Sequence, residues 1–169
     1  MPTGKYIIKL CLLGDGAVGK TSLVRRYVYD VFDDKYLISF GTKVSKKSFR
    51  VGDAEIDLMI WDILGQKSQE ALHAAYYRGA AGAFAVCDYT RPETVRNLKS
   101  WLGSFRSVVG DMPVIILANK ADLEKKITLS EVEEFGKEVG CTVFETSAKT
   151  GLNVERAFQE IGKKLLEAL

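Results

Sequence analysis

Residues 14–21 read Gly14-Asp15-Gly16-Ala17-Val18-Gly19-Lys20-Thr21, directly after the apolar run Tyr6 to Leu13 and opening a helix-like stretch from Thr21 to Val28. The spacing is G-x-x-x-x-G-K-[ST], in the strand-then-helix context that gives the motif its physical meaning. Glycines at 14, 16 and 19 admit torsions and close approaches that a side chain would block. Backbone N–H groups of Asp15, Gly16, Ala17, Val18, Gly19, Lys20, Thr21 and Ser22 can then converge on phosphate at a helix N-terminus. Lys20 adds a compact positive charge on the β- and γ-phosphates, and the Thr21 hydroxyl is placed to ligate Mg²⁺. A glycine-rich turn that binds nothing would share the composition but not the flanking strand and helix.

The chain has 169 residues, which predicts a single domain over 1–169 with a core large enough to need no staples. A net charge of +2 with dispersed basic residues gives no electrostatic footprint for nucleic acid. Cys11 and Cys87 lie inside apolar runs and Cys141 begins another, without metal-ligand spacing, so all three read as reduced core thiols. No secretory leader, membrane-spanning stretch or N-myristoylation site is evident, since Pro2 stands where glycine would be needed. The expectation is a cytoplasmic, monomeric protein.

Apolar β-branched runs alternate with helical patterns: Tyr6 to Leu13, Val44 to Val51, Ile56 to Trp61, Ala83 to Asp88, Val114 to Asn119 and Thr142 to Thr146. The alternation predicts an α/β fold, a six-stranded, mainly parallel sheet with helices on both faces. Between the second and third runs only Gly52 to Glu55 intervene, too few for a crossover helix, so these strands should be antiparallel at one edge. Val95, Leu98, Leu102, Phe105 and Val109 mark one helical face, and Val154, Ala157, Phe158, Ile161 and Leu165 another. Thr128 and Glu131 form a capping box for a helix from about Ser130 to Val139, with Gly140 at its stop.

In such a sheet, ligands bind beyond the carboxyl ends of the strands. After the third strand come Asp62, Gly65 and Gln66. Asp62 can hold Mg²⁺ through water, Gly65 can offer its N–H to a γ-phosphate, and Gln66 can orient an attacking water. After the fifth strand, Asn119-Lys120-Ala121-Asp122 selects the base. A carboxylate only accepts hydrogen bonds, so Asp122 pairs with the N1–H and exocyclic amine of guanine, whereas adenine presents an N1 acceptor. Lys120 can lay its methylene stem along the base, and Asn119 can join this loop to the phosphate loop. After the sixth strand, Ser147-Ala148-Lys149 supplies the Ala148 N–H for guanine O6, with the Ser147 hydroxyl bracing the turn.

In their order and spacing these motifs resemble the Ras superfamily of small GTPases over essentially the whole chain. Trp61, Tyr76-Tyr77-Arg78-Gly79-Ala80 and Asn97-Leu98-Lys99-Ser100-Trp101-Leu102 are most similar to the Rab branch. The resemblance implies a switch for signal transduction and vesicle trafficking that binds GTP or GDP with Mg²⁺ and slowly hydrolyses GTP. It implies catalytic roles for Gln66, Lys20 and Gly65, and Mg²⁺ ligation by Thr21, Ser39 and Asp62. It places a first switch at 32–43, with Phe32 edgewise on guanine and Tyr36 over the phosphates. Effector, exchange-factor and GTPase-activating proteins would bind through 32–44 and 62–80.

This chain departs from the family at several of these positions. Ser39 stands where the family carries threonine, keeping the ligand oxygen but losing the methyl group that stiffens χ1. The T-I-G-V-D-F pattern becomes Ser39-Phe40-Gly41-Thr42-Lys43-Val44, and Gln66 is followed by Lys67 rather than an acid, so recognition by the usual Rab effectors and exchange factors is in question. The last cysteine is Cys141, so the prenylatable C-terminal cysteines typical of Rab and Ras do not occur in this chain, and the expectation is either that a tail was removed or that the protein does not anchor by a lipid. Arg25 and Arg26 should point away from the site, which leaves no arginine to act in cis. His73 reads as an exposed helix residue, and Trp101 and Phe105 as helix-packing residues. The alternative function is a nucleotide-bound interaction module that hardly hydrolyses. An ATP-dependent small-molecule kinase is disfavoured by the guanine-selecting tetrad.

Overall fold

Strands rich in Ile, Leu and Val that are buried on both faces need helices above and below them, and the chain supplies them in strict alternation. The structure, a computed structural model, describes residues 3–30, 32, 43–62 and 70–169, with residues 70–72 described by backbone alone. In chain order the elements are β1 (Gly4–Leu13), α1 (Lys20–Tyr29), β2 (Lys43–Val51), β3 (Ala54–Asp62), α2 (Glu70–Tyr77), β4 (Gly82–Asp88), α3 (Glu93–Val109), β5 (Val114–Asn119), α4 (Leu129–Val139), β6 (Thr142–Glu145) and α5 (Val154–Glu167). The sheet order is β2-β3-β1-β4-β5-β6. Only β2 and β3 pair antiparallel, closed by a turn through Gly52, whose φ of 58° suits glycine. The other neighbouring strands pair in parallel.

Residue alternation along the strands sorts the core into two layers. Ile8, Leu10 and Leu12 of β1 with Ile56, Leu58 and Ile60 of β3 pack under Leu23 and Val24 of α1 and Phe158, Ile161 and Leu165 of α5. Their neighbours Cys11, Leu13, Ala83 and Ala85 face Tyr77 of α2, Leu98, Trp101 and Phe105 of α3, and Val132 of α4. The capping box of α4 is present: Glu131 N–H donates to Thr128 Oγ1 at 3.1 Å, and Thr128 N–H donates to Glu131 Oε1 at 3.2 Å. Among the described residues no helix is long and apolar enough to cross a membrane.

Two expectations need correction. His73 is not exposed; it is 4% accessible, with its ring centroid 5.2 Å from that of Trp101 and 6.0 Å from that of Tyr77. Imidazole is flat and largely apolar in area, so it packs between two aromatic rings where its helix meets α3. Cys11 and Cys87 are buried free thiols whose titration burial pushes up to about 12. Cys141 is only half-buried, and its Sγ accepts from Arg106 Nη2 at 3.4 Å.

The aromatic centre of the first layer gives a stability test. The Phe158 ring stacks on Tyr27, with centroids 3.7 Å apart, and meets Phe84 edge-on at 4.9 Å. Phe158→Ala is expected to lower unfolding free energy in urea by about 3–5 kcal/mol. Ile7→Ala, at a position 76% exposed, should stay within about 0.5 kcal/mol of the parent protein. Equal effects from the two substitutions would contradict this layering.

Candidate nucleotide-binding site

The carboxyl ends of β1, β3, β4, β5 and β6 meet on one side of the sheet, and the charged and amide side chains gather there. The loop from Gly14 to Gly19 turns from β1 into α1. Its shape depends on two glycines: a Cβ on Gly14 (φ 136°) would lie 2.3 Å from the Val86 carbonyl oxygen, and one on Gly19 (φ 102°) would lie 2.3 Å from Asn119 Nδ2. The left-handed residue between them is Ala17, at φ 62°, rather than Gly16. Gly19 caps α1 without a side-chain hydrogen bond, and the first turn holds no acid, so its N–H groups and dipole are left for an external anion.

Lys20 lies in this cradle, 7% exposed, donating to the carbonyls of Gly14 at 2.7 Å and Asp15 at 3.0 Å. Burial pulls its ammonium down to about 8, against the pull of the Asp62 and Asp15 carboxylates, and Arg91 adds to the depression. An anion beside Lys20 would favour the charged form further. Asp15 is anchored to α3, its carboxylate accepting from Asn97 Nδ2 at 2.7 Å and Trp101 Nε1 at 2.9 Å. Trp101 is therefore a core residue, as expected, and also a brace for the phosphate loop. Ser22 sits half-buried in the first turn of α1.

At the end of β3, Asp62 Oδ2 accepts from Thr21 Oγ1 at 2.5 Å, whereas Asp62 Oδ1 is buried with no hydrogen-bond partner among the described residues. Burial raises the Asp62 carboxyl above its ordinary value, opposed by the Thr21 hydrogen bond and by Lys20 and Lys43. An orphaned buried carboxylate oxygen beside a hydroxyl fits a hard divalent cation whose remaining ligands come from phosphate and water.

The base end is joined to the phosphate end by side chains. Asn119, 1% exposed, donates Nδ2–H to the Val18 carbonyl at 3.0 Å and accepts at Oδ1 from Thr146 Oγ1 at 3.0 Å. Lys120, at φ 68°, donates Nζ to the Ala17 carbonyl at 2.8 Å and pairs with Asp88 Oδ2 at 2.8 Å. Ser147 Oγ donates to Asp122 Oδ1 at 2.7 Å and accepts from Thr150 N–H at 3.0 Å, fixing the exposed Asp122 carboxylate. Ala148 is buried, and its N–H has no acceptor among the described residues. Lys149 beside it is exposed.

Three functional side chains escaped the sequence reading. Asp88, fully buried at the end of β4, accepts from Lys120, Arg91 Nε and both the N–H and hydroxyl of Thr90. Burial works to raise its carboxyl, but the hydrogen bonds from Lys120 and Thr90 win and hold it below the ordinary range. Arg91 also donates Nη2 to the Gly16 carbonyl at 2.7 Å. Asking of β4 what was asked of the other strand ends would have found both. Arg26 does not point away: its guanidinium reaches the carbonyls of Ala148 and Lys149.

Phe32 is half-buried against the core layer beneath α1 and α5. Tyr36, Ser39, Gly65, Gln66 and Lys67 lie outside the described residues.

Comparison with known proteins agrees with this geometry. A model of the Ras family matches residues 9–167. The chain is 37% identical over 168 residues to Ras-related protein Rab-2B of Dictyostelium discoideum, covering 98% of this chain and 83% of that protein. It is 36% identical over 165 residues to Ras-related protein Rab-21 of Homo sapiens, covering 96% of this chain and 73% of that one. A sponge relative, Ras-related protein Rab-21 of Geodia cydonium, is 37% identical over 163 residues, covering 95% and 71%. The chain thus belongs to the Ras family, as a Rab-like small GTPase that hydrolyses GTP.

Proposed function

We propose that this single domain is a switch that holds GTP or GDP with Mg²⁺ and changes its partner-binding surface when the γ-phosphate is lost. The observation that carries the reading is the joined pair of loops, in which Asn119 and Lys120 from the base side are bonded to Val18 and Ala17 of the phosphate loop. One nucleotide lying across both would have its phosphates on α1 and its base at Asp122.

The phosphates rest on the N–H groups of residues 15–22, with Lys20 against the β- and γ-oxygens. Thr21 and Asp62 would hold Mg²⁺, joined by Ser39 when GTP is bound, and the ion would supply charge neutralisation at the phosphates. Gly65 donates its N–H to the γ-phosphate, and Gln66 orients the attacking water. On the base, Asp122 accepts from N1–H and the 2-amine, Ala148 N–H donates to O6, Lys120 lays its stem along the ring and Phe32 packs against its edge.

Arg91 is committed to Asp88 and the Gly16 carbonyl, and Arg26 to the turn at Ala148. Neither is free to stabilise charge in the transition state. Intrinsic hydrolysis is therefore slow, and an activating partner would supply an arginine worth roughly 10³ to 10⁵ in rate. Partners dock through 32–44 and 62–80, where exposed Lys43 and Val44 alter the surface a Rab effector would meet.

Substituting Gln66→Leu should slow phosphate release in a single turnover by more than about tenfold while leaving GTP retention unchanged. Normal hydrolysis by this variant would remove Gln66 from the water-positioning role. A second expectation concerns Asp122→Asn, whose carbonyl oxygen can still accept from N1–H but whose NH2 then meets a 2-oxo group as a donor and opposes a 2-amine. Affinity for GDP should fall roughly a hundredfold, and affinity for xanthosine diphosphate should rise. Titration calorimetry with the two nucleotides checks this, and unchanged preference for GDP would place the base elsewhere.

A further inference from the structure

Beyond the first turn of α1, Arg26 turns back toward the nucleotide site, and its contacts are with backbone rather than with charge alone. Nε–H donates to the Ala148 carbonyl at 2.7 Å, and Nη2–H donates to the Lys149 carbonyl. Nη1 meets Asp30 Oδ1 at 3.1 Å, but that carboxylate is 89% exposed, whereas the Arg26 side chain is only 21% exposed. An ion pair so wet contributes little, whereas a planar guanidinium spanning two successive carbonyls fixes both peptide planes.

The peptide on the other side of Ala148 is held too, since Gly151 N–H donates to the Ser147 carbonyl at 2.8 Å. Both planes flanking the Ala148 Cα are therefore set, one by the turn itself and one by a side chain from α1. Among the described residues the N–H groups of Ala148 and Lys149 are the donors left without an acceptor in this short stretch, and of the two residues only Ala148 is buried. The Ala148 N–H lies in the plane of the Ser147 carbonyl, and the Arg26 clamp on the next peptide restrains rotation about the Ala148 Cα, so that plane is kept in one orientation relative to α1. Because α1 also carries the phosphate cradle at its first turn, one helix fixes the phosphate end and the far edge of the base.

We propose that Arg26 is a positioning residue for base recognition: by holding the Ala148 and Lys149 carbonyls it aims the Ala148 N–H at the 6-oxo group of guanine. This rests on the guanine-nucleotide reading of the site. Arg26 touches no nucleotide atom itself, so its removal loosens only the contact at O6. The 2-amine, read by Asp122, is held separately by Ser147.

The test compares dissociation of GDP, 6-thio-GDP and IDP from the parent protein and from Arg26→Ala, Arg26→Lys and Asp30→Asn. Sulfur at position 6 is a weak acceptor, and IDP keeps the 6-oxo group but lacks the 2-amine. The parent protein should release 6-thio-GDP and IDP faster than GDP. In Arg26→Ala, GDP release should quicken roughly tenfold or more, 6-thio-GDP release should change little, and the ratio of IDP to GDP should be preserved. Arg26→Lys keeps charge and stem but spans only one carbonyl, so it should fold and show the same collapse of the GDP to 6-thio-GDP ratio in part. Asp30→Asn should leave every ratio unchanged. Equal quickening of GDP and 6-thio-GDP in both Arg26 variants would overturn the proposal, leaving Arg26 a structural brace. If the parent protein released all three nucleotides alike, the guanine reading beneath the proposal would fail first.

Discussion

Asn119 holds the two halves of the site at one separation. Its amide is buried and satisfied at both ends, by the Val18 carbonyl on the phosphate side and the Thr146 hydroxyl on the base side. Sliding either loop would leave a buried polar group unpaired, at a cost of about 1–3 kcal/mol. The same contact explains Gly19, whose missing side chain is the space the amide occupies. The phosphate-loop side and the Thr146 side are thus joined through one buried amide. Asp122, bonded by Ser147, and the Ala148 turn, held by Arg26, complete the frame.

The buried charges divide according to whether the protein itself completes them. Asp88 is ringed by Lys120, Arg91 and Thr90 and stays ionised below the ordinary carboxylate range. Lys20 and Asp62 are not so served. Burial pulls Lys20 down and pushes Asp62 up, and one Asp62 oxygen has no partner among the described residues. Uncompensated burial of charge is costly unless something outside the chain supplies the missing partner. The two groups lie where a phosphate and a divalent cation would repair both deficits, so the chain gives up local stability there in exchange for ligand affinity.

Much of this architecture was legible in the sequence because it rests on local rules. Apolar β-branched runs marked all six strands to within about two residues at either end, and Thr128 and Glu131 announced α4 by reciprocal capping. The short Gly52 turn required the antiparallel edge. The misses share a different cause: each depends on a partner distant in sequence. Asp88 looks like any strand-end acid until Lys120 is brought beside it. Arg26 sits on a helix flank, and only the fold places the Ala148 turn within its reach. His73 is polar by type, yet the aromatic face of α3 gives its ring a buried place. Trp101 was correctly read as core, but its indole N–H serving Asp15 lies 86 residues away along the chain and no helical periodicity could suggest it.

The account stands or falls on guanine nucleotide being held across the joined loops and its γ-phosphate being cleaved there. Loading the protein with radiolabelled GTP and Mg²⁺, then following retained nucleotide and released phosphate in one turnover under excess ATP, reads both at once. Retention unaffected by ATP, with slow phosphate release that leaves GDP bound, is the predicted result. Displacement by ATP, or failure to retain either guanine nucleotide, would contradict the account.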